Sequence, residues 1–142
     1  VTLIEFLKAR LDEDERRARD CAVVYPSTWE VEDRGYHAHV VADGPNFLHV
    51  TDLEQEQAAK PEWVGDRLQH IAHHDPARVL REVAAKRMIL ELRYSWNLEA
   101  ERYPEPPFGH IFQAHINTAD AILRTLASVY SDHPDYRTEW DV

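Results

Sequence analysis

His70-Ile-Ala-His-His-Asp75-Pro76-Ala-Arg-Val-Leu-Arg-Glu-Val-Ala-Ala-Lys86 decides how the chain is built. Asp75 is a favoured helix N-cap and Pro76 a favoured first helical residue, so one helix ends and another begins here. Downstream, Val79, Leu80, Val83, Leu90 and Tyr94 recur at helical spacing, widened by Met88, Ile89 and Leu92, and predict a helix over 76–97. Upstream, Val64, Leu68 and Ile71 share a face and predict a helix over 62–74.

Outward from this pair, Thr2-Leu-Ile-Glu5 reads as a capping box that opens a helix over 2–21. Leu3, Leu7 and Leu11 follow on one side, with Ala18, Cys21 and Ala22 continuing it. The other side carries Asp12–Arg16, Glu13–Arg17 and Glu15–Arg19, pairs of favourable polarity worth roughly 0.2–0.5 kcal/mol each. Pro26 breaks this helix. Trp29–Glu32, Tyr36–Ala42 and Phe47–Thr51 then read as short strands, punctuated by Gly35 and by Asp43-Gly-Pro-Asn46. They predict an antiparallel hairpin or meander over 28–51. A second capping box, Thr51-Asp-Leu-Glu54, opens a weaker helix over 52–60.

Beyond the central pair, Tyr103-Pro-Glu-Pro-Pro-Phe-Gly109 is a stiff connection. It leads to a helix over 110–130, with Ile111, Ile116, Ala119, Ile122, Leu123 and Leu126 expected to face inward. In the tail, 131–142, Tyr136 and Trp140 are expected to fold back onto the helices. The fold class predicted is α+β and mostly helical, with three to four main helices and a small antiparallel β element after the first, in a single domain over 1–142.

The chain of 142 residues is 44% hydrophobic and 30% charged. At that length roughly 70% of the surface exposed on unfolding can be buried. No apolar run approaches the ~18 residues of a membrane span. The single cysteine, Cys21, excludes an internal disulfide and multi-cysteine metal sites, and is expected to be buried. No GxGxxG, P-loop or GxSxG motif occurs. The opening residues do not read as a signal peptide, because acidic Glu5 interrupts a short apolar stretch, so the cytoplasm is the expected location.

The net charge of −10 is uneven. Residues 21–66 carry 2 basic and 9 acidic groups, whereas 67–98 carry 6 basic and 3 acidic. The acidic total argues against sequence-independent nucleic-acid binding, which needs several phosphates neutralised.

Three stretches carry a family resemblance: Phe6-Leu-Lys-Ala-Arg-Leu-Asp-Glu-Asp-Glu15, the central block His70–Lys86, and His133-Pro-Asp-Tyr-Arg-Thr-Glu-Trp140. Together they resemble a family of small proteins of actinobacteria and their phages. The resemblance implies a free-standing intracellular protein of phage or mobile-element origin, and supplies no activity to carry over. The family pattern in the central block is His-Ile-Ala-Arg-His-Asp-Pro, so His73 stands here where the pattern has arginine.

Nine histidines are many for this length. His70 and His74 lie one turn apart and can address one ion, with His133, Asp135 or Asp75 as a further ligand. The spacing is that of half a zincin helix, but Ile71 stands where the general-base glutamate would be. The competing reading places His70, His73 and His74 at a helix C-terminus, where they cap carbonyls and suit the dipole. His37 and His39 share one strand face, and parity turns His49 to the other. His115 shares a face with Ile111 and Ile122 and is expected in the core; His110 is expected at the surface. No carboxylate pair stands in an apolar setting that would split its pKa values.

Two functional readings follow. The leading one is a non-enzymatic interaction or regulatory module. Its surface would be the acidic hairpin region together with a basic helix face of Arg78, Arg81, Lys86 and Arg87, its partner another protein or a second copy. The alternative is a divalent-metal site, zinc or another ion, held by His70 and His74 and closed by His133 or Asp135, with hydrolytic activity.

Overall fold

The computed structural model describes residues 1–25, 27–33, 38–42 and 62–142. The fold is α+β and mostly helical. In chain order the elements are α1 (Leu3–Val24), β1 (Trp29–Asp33), β2 (Ala38–Ala42), α2 (Glu62–His73), α3 (Pro76–Arg102) and α4 (Phe108–Ala127). Single turns of 3-10 helix follow at Ser128–Tyr130 and Thr138–Trp140. The strand expected at Phe47–Thr51, the helix expected at 52–60, and His37, His49 and the side chain of His39 lie outside the described residues. Among the described residues no helix is long and apolar enough to cross a membrane.

The chain divides into two compact units, one of Val1–Glu13 with Glu82–Val142, the other Asp14–Arg81. In the second unit β1 and β2 pair antiparallel, with Trp29 opposite Ala42 and Val31 opposite Val40. Alternation along each strand therefore puts these four residues on one face. That face meets Leu68, Ile71 and Ala72 of α2, whose spacing forms one helical stripe. Val40 and Leu68 are fully buried, each worth roughly 1.5–3 kcal/mol of apolar burial.

In the first unit, α3 and α4 form an antiparallel pair. Arg93 Nε donates to Asp120 Oδ1 at 2.7 Å, and the Trp96 and His115 rings stack at 5.1 Å. Tyr103 meets Phe108 at the turn, with ring centroids 6.3 Å apart. Gly109 is needed here, because a Cβ would collide with the Pro104 carbonyl. The capping box forms as expected, with Thr2 N donating to Glu5 Oε2 at 2.8 Å and Glu5 N to Thr2 Oγ1 at 3.2 Å. Phe6, Leu7 and Leu11 of α1, Val83 and Leu90 of α3, and Ile116, Ala119, Leu123 and Ala127 of α4 are buried. The tail folds back: Phe6 lies 6.0 Å from the Tyr136 ring and 5.0 Å from that of Trp140.

Several expectations are corrected. α3 runs to Arg102 rather than 97, because Leu98–Arg102 are all helix formers and the first breaker is Pro104. α4 begins at Phe108 and ends at Ala127. Tyr94, expected in the inner stripe of α3, and Met88 and Leu92, expected to widen it, are exposed, as are Ile111 and Ile122 of α4. His115 is exposed rather than in the core, and Cys21 is half-buried.

Candidate functional site

The α2–α3 junction gathers the expected residues of the central block. Asp75 is buried, at 8% exposure, and its Oδ1 accepts the Arg78 N–H at 2.6 Å. Its carbonyl accepts the Val79 N–H, and the Ala77 N–H donates to Ser27 O at 2.9 Å. Pro76 has no N–H to satisfy, so every amide in the first turn of α3 is accounted for. At the end of α2, His74 Nδ1 lies 2.8 Å from the His70 carbonyl, and Arg78 Nη1 donates to the His73 carbonyl at 3.4 Å. These groups cap the C-terminus of α2. The His70 and His74 rings stand 4.4 Å apart, adjacent as their spacing requires.

Beside this junction lies an open cleft of about 410 Å³. Trp29 and Val31 come from β1, Gln69 and His73 from α2, and Arg78 and Arg81 from α3. The described residues that line it include no Ser, Thr or Cys nucleophile. Among the described residues no three His, Cys, Asp or Glu side chains gather in a way that could hold a metal ion.

His133 and Asp135 belong to the other unit and are engaged in the tail. Arg10 is set against His133 Nε2, the Asp135 N–H points at His133 Nδ1 at 3.1 Å, and the ring stands edge-on to Phe6 at 5.7 Å. The four basic residues expected to form one face have separate surroundings. Arg78 caps α2, exposed Arg81 lines the cleft, Lys86 lies over the Tyr130 ring at 5.9 Å, and Arg87 Nη2 pairs with Asp12 at 2.6 Å.

A different feature lies on α4. The outer side of α4 runs Ile111, Ala114, His115, Thr118, Ala121, Ile122 and Thr125, continued by Val129, and every one of these is exposed. It carries no Asp, Glu, Lys or Arg, although the chain is 30% charged. Thr118 Oγ1 donates to the Ala114 carbonyl at 2.9 Å and Thr125 Oγ1 to the Ala121 carbonyl at 3.1 Å. Both hydroxyl donors are thus satisfied within the helix. The His115–Trp96 stack carries this surface across to α3, where exposed Leu92 and Met88 lie one and two turns before Trp96.

A family model described as a family of unknown function, DUF6221, matches residues 1–142. The chain belongs to that family. No curated protein and no solved structure matches it. In this DUF6221 chain Ile111, His115 and Ile122 do share a face of α4, but Ile111 and Ile122, expected inward together with Ile116, Ala119 and Leu123, lie on the exposed side while those three are buried.

Proposed function

We propose that the protein is a non-enzymatic interaction module that binds a partner through the outer side of α4 and the adjoining Leu92 and Met88 of α3. The observation that carries this reading is the uncharged, exposed helical face itself. Ile111 and Ile122 are 46% and 44% exposed. Isolated exposed apolar residues need no explanation, but a strip of this length without Asp, Glu, Lys or Arg, on a chain that is 30% charged, is the kind of surface that contact sites use. The surface proposed therefore differs from the basic helix face expected at Arg78–Arg87.

A photo-crosslinking residue placed at Ile122 tests this, with the same residue at Val23 of α1, which is 85% exposed, as the control. Defined protein adducts are expected from position 122 in cells and not from position 23. Equal or absent adducts at both positions overturn the reading.

A further inference from the structure

We infer that the partner of this face is a second copy of the same chain, packed α4 against α4 about a two-fold axis beside Thr118; this rests on the interaction reading above and names its occupant. The first argument is self-complementarity. An antiparallel pairing centred on Thr118 sets Ile111 opposite Thr125 of the second copy, Ala114 opposite Ile122, and His115 opposite Ala121. Each larger side chain meets a smaller one, and the two-fold repeats every contact with the roles exchanged. An isologous interface requires such a self-matching surface, and alternating large and small residues let facing helices interdigitate.

Charge gives the second argument. Two chains of net charge −10 repel. A face without Asp, Glu, Lys or Arg is where two such copies can meet without opposing carboxylates. The charged side chains of α4 beyond its histidines, Asp120 and Arg124, lie off this face, and Asp120 is paired with Arg93. A strongly cationic partner helix would find no counter-charge here and would leave its own charges desolvated. The back-bonded hydroxyls of Thr118 and Thr125 present no unmet donor when water is removed.

The third argument is area. The 20 residues of α4 span about 30 Å at 1.5 Å per residue, and one helix is about 10 Å across. That side offers roughly 300 Å² per copy, to which Leu92 and Met88 add, the size of a weak, reversible interface below about 1,200 Å² in total.

The test is sedimentation equilibrium of the full chain up to ~100 µM, where a micromolar dimer is populated. A dimer mass is expected. Ile122→Asp, and independently Ala121→Arg, are expected to weaken the dimer roughly 30-fold or more. Both sites are exposed, and unchanged circular dichroism will verify folding. In a Cys21→Ser background, Thr118→Cys is expected to form a covalent dimer on mild oxidation, and Gln113→Cys, off this face, is not. A monomer at every concentration overturns the inference, as does a dimer indifferent to both face variants or one that cross-links through position 113 instead of 118. A monomeric chain that still gives specific adducts from position 122 overturns the second copy and leaves the interaction reading standing. A dimer through another surface with no adducts from 122 overturns both.

Discussion

Phe6, in α1, and Trp140, in the last turn of the tail, lie with ring centroids 5.0 Å apart. Trp140 is 5% exposed and Phe6 1%. The tail is therefore part of the core of its unit. Trp140→Ala is expected to cost about 3–5 kcal/mol, the range for emptying a buried aromatic site. Trp140→Phe should cost distinctly less. Urea denaturation of the three proteins checks this; an unchanged midpoint for Trp140→Ala would show that the tail adds nothing to the core.

Tyr136 gives the tail an alkaline limit. Burial, the hydrogen bond to Asp141 at 2.9 Å, and the Asp141 charge all raise its pKa above the ordinary 10.0. A raised pKa contributes stability that is full below the unfolded value and is lost as pH rises through the folded value. Trp140 fluorescence should therefore report loosening of the tail above pH 10, and Tyr136→Phe should remove the part of that transition due to Tyr136.

Glu5 acts at the other end of the scale. The Thr2 N–H and hydroxyl bond its carboxylate and hold its pKa below the ordinary 4.5. Stability from the ionised cap is present above that value and is lost as pH falls through the lowered one. The stability difference between wild type and Glu5→Gln should shrink as pH falls below 4.5, measured by thermal melts across the acid range. A difference constant with pH would show that Glu5 contributes through packing alone.

Asp75 should behave as a helix cap. Asp75→Ala is expected to cost about 0.5–2 kcal/mol, and Asp75→Asn much less, because an amide oxygen can still accept the Arg78 N–H. Equal losses for both variants would point to the charge rather than the cap.

Gly109 should resist any side chain. The Cβ of Gly109→Ala falls on the Pro104 carbonyl, and forcing the turn apart should cost about 1–3 kcal/mol. A melting point equal to wild type would show that the turn yields freely.

Local signals were readable from residues alone. The capping box at Thr2 and Glu5 and the Asp75-Pro76 start of α3 each involve groups within one helical turn, so neighbours in sequence suffice to specify them. Periodicity grouped side chains in part: Ile111, His115 and Ile122 do share a face, as do Leu68 and Ile71, but Ile111 and Ile122 were also expected inward with Ile116 and Leu123, and only the latter two are buried. Which face turns inward depends on what packs against the helix from elsewhere in the chain, and spacing carries no such information. For that reason His115 was expected in the core and lies outside it, stacked on Trp96. The histidine pair shows the same boundary. The adjacency of His70 and His74 follows from their spacing. That the Arg10 guanidinium meets His133 is a long-range fact no local pattern encodes.

Thr118 and Thr125 change how this surface ought to be counted. Hydropathy tables score threonine as polar, yet a hydroxyl already bonded to the carbonyl four residues back behaves toward a neighbour much as a methyl does. Valine, its near-isostere, is the natural replacement at these two positions, while lysine or glutamate is the intolerable one. Residue-type averages therefore understate how greasy this protein's exterior is, and a chain with mean hydropathy of −0.57 can still carry one dry side.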